Sequence, residues 1–147
     1  MSDEDKIRAT MKQMAIVFLA LIIGQLSMLG VFAFLVESGG VAPNPDMHET
    51  FKYVVVVVTV ISVATGQYLY HAVIKKNREA QDLDEKLANF RSSSFVVLAT
   101  LEGPALFSLS IYFITAQKLY LAIFGLLLII FFYFRPSERK FRNDFNN

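Results

Sequence analysis

Four long apolar segments, separated by charged ones, dominate the hydrophobic pattern of the chain. They cover residues 14–36, 53–74, 95–115 and 119–134, and we refer to them as spans one to four. A helix that crosses a bilayer needs about 20 apolar residues. The block VVVVVTVISV in span two would favour a strand in water, but an open strand edge cannot face lipid. The pattern predicts an all-α fold: a polytopic membrane four-helix bundle that forms a single domain over residues 1–147.

Span four, LYLAIFGLLLIIFFYF, is the shortest of these segments. As a helix it would measure about 24 Å, whereas a bilayer core is about 30 Å thick. Lys118 and Arg135 at its ends can reach the headgroups and make up the difference. The alternative is a re-entrant segment, which would move the C-terminus to the other side of the membrane.

The connections between the spans differ in character. ESGGVAPNPDMHET, between spans one and two, contains two glycines and two prolines and predicts a loop. AQK, between spans three and four, predicts a tight hairpin. Residues 75–94 contain neither Gly nor Pro and predict a helical connection, in which Asp82 and Glu85 have the spacing of a capping box. A charged, solvated linker is the alternative for this connection.

Basic residues predict the orientation. They concentrate in the two tails and in the connection between spans two and three: Lys6, Arg8, Lys12, Lys75, Lys76, Arg78, Lys86, Arg91, Arg135, Arg139, Lys140 and Arg142. The other two connections hold only Lys52 and Lys118. By the positive-inside rule both termini are cytoplasmic. Tyrosines near the span ends agree with this as interfacial anchors: Tyr53 and Tyr120 outside, and Tyr68, Tyr70 and Tyr133 inside.

Composition narrows the function classes. The chain has no cysteine, which excludes disulfides and thiolate chemistry, and its net charge of +1 predicts no nucleic-acid partner. His48 is expected in a solvated loop and His71 at the inner interface, so neither belongs to a metal-ligand pattern. No serine has a base in a triad-like arrangement, and no glycine-rich loop precedes a helix. We therefore expect no enzyme activity, no cofactor and no metal site.

One acid lies inside span three, in the segment LATLEGPALF. Glu102 has apolar residues on both sides and is followed by Gly103 and Pro104. An acid at the bilayer centre costs about 2.5–3.5 kcal/mol on insertion scales. Pro104 removes the backbone hydrogen bond to the Thr100 carbonyl and leaves an acceptor near the carboxyl. This combination predicts an intramembrane polar site.

The partners of Glu102 are expected among neutral side chains, because no Lys or Arg lies inside any span. Gln25 in the middle of span one is the first candidate, and Thr59 and Ser62 in span two are the others. Two roles remain open, a proton or cation site at a loosened helix turn and a hydrogen-bonded clamp between spans. Membrane hydrogen bonds average only about 0.6 kcal/mol, so a glutamine would serve a clamp equally well.

Small residues spaced four apart occur in three spans and predict close helix packing. The pairs are Ala20/Gly24, Ser62/Gly66 and Ala99/Gly103. The glycine of the first pair is followed by Gln25, and the glycine of the third pair is preceded by Glu102. Duplication of a two-helix hairpin would produce this similarity, and so would chance.

The segment LEGPALFSL, with RPSERK after span four, resembles a group of small uncharacterised four-span bacterial membrane proteins. The matching positions are residues 102–107 and Arg135–Pro136, and the resemblance implies a bacterial cytoplasmic membrane but no established activity. A looser similarity links the paired hairpins and the membrane glutamate to the proteolipid ring subunits of rotary ATPases. Span one lacks their dense glycine repeat, and Glu102 is on the first helix of its hairpin rather than the second.

Two functions are therefore expected. The first is a non-catalytic accessory, assembly or structural subunit of the cytoplasmic membrane, surrounded by lipid and contacting another membrane protein or a second copy of itself. The alternative is a small proton- or cation-linked transporter, or a subunit of one, centred on Glu102.

Overall fold

The computed structural model describes residues 2–77, 79–80 and 82–145, and these form five α-helices. The helices are α1 (Asp3–Glu37), α2 (Asp46–Asn77), α3 (Leu83–Thr115), α4 (Lys118–Tyr133) and α5 (Glu138–Phe145). The predicted all-α fold is confirmed for the described part of the chain. Helices α1 to α3 are each long and apolar enough to cross a membrane, consistent with a membrane protein.

Helix α4 alone is too short to be counted as a membrane-spanning helix. It is long enough only together with α5, from which it is bent by 68°. The chain thus has three helices of spanning length, or four if the bent pair is one span. Pro136 lies in the bend between the two helices, where its ring and missing N–H prevent a continuous helix.

Helix α3 lies at the centre of the bundle, and α1, α2 and α4 pack around it. Leu98, Leu101 and Leu109 on α3 are at most 1% exposed and belong to the main apolar core. Helix α1 also reaches α4, where the rings of Phe18 and Phe131 stack with centroids 5.1 Å apart. Span four therefore packs one face inside the bundle, while its other face stays exposed.

Both ends of α1 extend beyond the predicted first span. At its start, Ser2 and Asp5 form a complete capping box, in which each side chain accepts a hydrogen bond from the other residue's backbone N–H. Two free N–H groups of the helix terminus are satisfied in this way, so the charged segment before span one is helical as well.

One end of the bundle gathers the start of α1, the end of α2, the start of α3 and α5, and we call it the basic end. Helix α5 covers it with Phe141 and Phe145, whose rings pack edge-on against the fully buried Phe90. The Tyr70 hydroxyl donates a 2.7 Å hydrogen bond to Asp144 of α5. The C-terminal tail, whose basic residues contribute to the predicted orientation, is therefore a packed amphipathic helix.

Further polar contacts tie the helices together at the basic end. Buried Asn77 accepts a 2.8 Å hydrogen bond from Asn89 and donates to the Phe145 carbonyl at 3.5 Å. Ion pairs join Lys6 to Asp84 and Arg142 to Glu4 and Glu138, at 2.7–2.8 Å.

The predicted helical connection over residues 75–94 is interrupted in the structure. It is helical up to Asn77 and again from Leu83, with turn hydrogen bonds at Glu79 and Ala80 between. Asp82 occupies the N-cap position of α3 but its side chain forms no capping hydrogen bond, so the predicted capping box is wrong. The chain must reverse here because α2 and α3 pack side by side. Arg78, which contributes to the predicted orientation, lies outside the described residues.

The opposite end, which we call the hairpin end, holds the 38–45 loop and the connection between α3 and α4. Ala116 ends α3 in a left-handed conformation, which makes the predicted tight hairpin. The Asn44 N–H donates a 2.8 Å hydrogen bond to the Ile114 carbonyl and fastens the loop to α3. His48 is in the first turn of α2 and not in a solvated loop, because its ring contacts Tyr120.

Candidate functional site

Glu102 lies on the less buried side of α3. Its side chain is half-buried, the adjacent Gly103 is exposed, and Pro104 and Leu101 turn into the core. No hydrogen bond or ion pair joins the Glu102 carboxyl to another described residue. Helix α3 runs continuously through Pro104, whose ring nitrogen has no hydrogen to donate to the Thr100 carbonyl.

A groove lies between α1 and α3 on the side of α3 that carries Glu102. Near the basic end its walls include Gln13 and Val17 of α1 and Phe95 of α3. Residues three and four apart share a helix face. By this spacing Gly24 lies on the same face of α1 as Val17, and Glu102 lies on the same face of α3 as Phe95. A methyl group at Gly24 or Gly103 would meet nothing within 4 Å. The backbone beside Glu102 is therefore accessible at Gly103.

Gln25 does not form the expected hydrogen bond with Glu102. Its side chain is 1% exposed, and neither its amide nitrogen nor its carbonyl oxygen has a partner. Gln25 follows Ile22 and Phe18 on the buried stripe of α1, whereas Glu102 lies on the partly exposed side of α3. The Thr59 hydroxyl is likewise buried without a partner. The interhelical clamp with either residue is thus not formed.

Helices α2 and α3 are in close contact where Gly66 meets Thr100. The Thr100 hydroxyl donates a 2.8 Å hydrogen bond to the Val97 carbonyl and occupies the space that a methyl group on Gly66 would need. Gly66 is buried and Ser62, one turn away, is half-buried. Close packing is therefore confirmed for the Ser62/Gly66 pair, whereas Ala20/Gly24 and Ala99/Gly103 lie on the exposed surface of the chain.

Two tyrosines expected at the membrane interfaces are buried in side-chain contacts between helices. Tyr120 is fully buried, and its hydroxyl lies 3.1 Å from His48 Nδ1 and donates to the His48 carbonyl at 3.3 Å. Tyr70 is 6% exposed and bonds to Asp144. Both pairs were missed in the sequence. A usable signal was a tyrosine near the end of one span together with a His or Asp in a segment expected at the same end of the bundle. His71, by contrast, is exposed.

Comparison with known proteins supplies no further residue roles. No protein-family model, no curated protein and no solved structure matches this chain. Among the described residues, no three His, Asp or Glu side chains come together in a group that could hold a metal ion. The resemblance carried by LEGPALF stays a prediction, and the site must be interpreted from its own geometry.

Proposed function

We propose that this protein is a non-catalytic accessory or assembly subunit of a bacterial cytoplasmic membrane, which docks a transmembrane helix of another protein in the α1–α3 groove. The observation that carries the proposal is the half-buried Glu102 carboxyl, which has no partner among the described residues and shares a face of α3 with the groove residue Phe95. A lone acid in a bilayer costs about 2.5–3.5 kcal/mol. A partner that supplies a cation or a hydrogen-bond donor lowers that cost.

The proposed topology has four crossings, with both termini in the cytoplasm. Contacts at the two ends of α4 support the fourth crossing. Tyr120 near its start touches His48 at the hairpin end, and Phe134 after its last turn packs on Tyr70 at the basic end. A segment that touches both ends of the bundle is better described as a crossing than as a re-entrant loop. The concentration of Lys and Arg at the basic end supports its cytoplasmic location.

The chemistry of the groove favours a partner of different sequence. Gly24 and Gly103 leave the backbone accessible beside the acid, which is the surface that closely packed membrane helices use. A second copy of this chain would bring no Lys or Arg at this depth, because none lies inside the spans. A partner helix with a Lys, Arg or amide side chain at mid-depth would satisfy the carboxyl.

Leucine substitutions in the groove test this proposal. Glu102→Leu and Gly103→Leu should each release the chain from a complex extracted from native membranes in mild detergent, measured by size-exclusion chromatography with light scattering. Gly30→Leu is the matched control, since Gly30 is exposed on α1 with open space around it. The partner must be identified, and replacing its mid-depth donor by leucine must have the same effect.

Two results would count against docking. One is an unchanged complex mass in both groove variants. The other is a wild-type chain that is monomeric, or a dimer of itself, in its native membrane.

A proton- or cation-linked role centred on Glu102 is the second candidate, because the same carboxyl is half-exposed and unpaired. It is less well supported, since the groove residues at this depth are glycines and alanines that bring no side-chain ligand for an ion. In vesicles with an entrapped pH dye, Glu102→Gln should abolish proton flux while leaving the fold intact. Equal flux in wild type and variant would exclude it.

A further inference from the structure

A second, unassigned site lies where α4 bends into α5. An open cavity of about 570 Å³ is lined there by Arg135, Arg139 and Lys140, together with Phe132, Tyr133 and Ser137. No acidic side chain of the described residues lines it. The cavity between α1 and α3 at the same end differs, because Asp84 lies in its wall and pairs with Lys6. Of these two cavities, the one at the bend has the charge to hold an anion.

The three cations are held in different ways. Arg135 and Arg139 are exposed, and their guanidinium groups have no ion pair or hydrogen bond with other described residues. Lys140 is fixed: its ammonium donates to the Tyr133 carbonyl at 3.3 Å and lies 4.7 Å from the Phe134 ring centre. Burial lowers the pKa of Lys140, and nearby Asp144 acts in the opposite direction. The site thus has one positioned charge and two that are free to bind.

The apolar surface beside the cavity indicates what kind of anion fits. Leu126, Ile129 and Phe132 form an exposed stripe on α4 that ends at the cavity, and they are 50–69% exposed. Their spacing of three places them on one face of the helix. A phosphate at the cavity could therefore continue into acyl chains along this stripe. Arginine is well suited to such a site, because its fork-shaped guanidinium matches phosphate oxygens.

We propose that this cavity binds the phosphate of an anionic phospholipid, with Arg135 and Arg139 on the phosphate, Lys140 behind it and the acyl chains along α4. The RPSERK segment after span four supplies all three cations. The 68° bend between α4 and α5 turns this segment away from the axis of α4, so that it can lie along the headgroups. This inference does not depend on the docking role of Glu102.

Lipid titration of the full chain in detergent, followed by native mass spectrometry, tests the site. Phosphatidylglycerol should bind the wild-type chain more tightly than phosphatidylcholine. The double variant Arg135→Gln/Arg139→Gln should weaken phosphatidylglycerol binding about 30-fold, which corresponds to two contacts of about 1 kcal/mol each. Lys75→Gln/Lys76→Gln removes the same charge at the same end but outside the cavity, and should leave the affinity nearly unchanged.

A second measurement separates binding from folding. Phosphatidylglycerol should raise the Tm of the wild-type chain and of the Lys75/Lys76 control, but not that of the Arg135/Arg139 variant. Without lipid, all three should melt alike. Equal weakening in both double variants would show that overall charge attracts the lipid and would overturn the site. Displacement of the lipid by inorganic phosphate alone would also overturn it, because free phosphate would then be the ligand.

Discussion

The basic end and the middle of the bundle treat polar side chains in opposite ways. At the basic end, buried Asn77 bonds to Asn89 and to the Phe145 carbonyl, and Tyr70 bonds to Asp144. In the middle, both polar atoms of Gln25 and the Thr59 hydroxyl are buried without partners. The difference indicates which interaction stabilises each region. In the proposed topology, water drives apolar burial at the basic end, whereas the helices surrounded by lipid rely on close packing.

The largest expected effect is at the basic end. Phe90→Ala removes the ring on which Phe141 and Phe145 pack, and should lower the free energy of unfolding by about 3–5 kcal/mol. Denaturant titration in mixed micelles, followed by circular dichroism, measures it. Phe34→Ala is the control, because Phe34 is 70% exposed. Equal losses of unfolding free energy in the two variants would contradict this prediction, because the buried Phe90 would then contribute no more than the exposed Phe34.

The next effect tests packing in the middle of the bundle. Gly66→Ala should lower the free energy of unfolding by about 1–3 kcal/mol, because the new methyl group collides with the Thr100 hydroxyl. Adding Thr100→Ala should recover most of the loss. Gly30→Ala, where the space is open, should change little. Without rescue by the second substitution, close approach at this pair would not be what holds α2 against α3.

A matched pair of substitutions tests the polar contrast directly. Asn77→Leu leaves the Asn89 amide without its acceptor and should destabilise the protein by about 1 kcal/mol or more. Gln25→Met removes two unpaired polar atoms and should stabilise it by a similar amount. Thermal unfolding in detergent gives both values. A loss of stability in Gln25→Met would mean that Gln25 has a partner in the membrane, such as a bound water.

The smallest effect is expected at the exposed ion pair between Lys6 and Asp84. Lys6→Gln should change the unfolding midpoint by no more than the scatter of the measurement, since solvent and salt screen such pairs. Repeating the titration at low and high salt checks this. A salt-sensitive loss of stability as large as that of Asn77→Leu would contradict this. It would show that ion pairs, and not buried contacts, stabilise the basic end.

The three helices of spanning length were predictable, because crossing a bilayer requires a length and an apolarity that are visible in the sequence. The 38–45 loop followed from its Gly and Pro residues in the same way, and Gly39 indeed adopts a positive φ of 72°. Helix α5 was not predictable from apolarity, since its eight residues, ERKFRNDF, include only two apolar side chains. It is held by Phe141 and Phe145 against Phe90, a contact between residues far apart in the chain.

The candidate site divides along the same line. The sequence by itself determined that one acid lies in span three beside a glycine, with no cation at its depth, because these are facts of composition and spacing. Only the tertiary structure decided which way that acid faces. The rotation of α3 is set by its packing with α2 and α4, and this turns Leu101 and Pro104 inwards and leaves Glu102 half-exposed. A helix packs in the rotation that buries most apolar surface, which no short segment specifies alone.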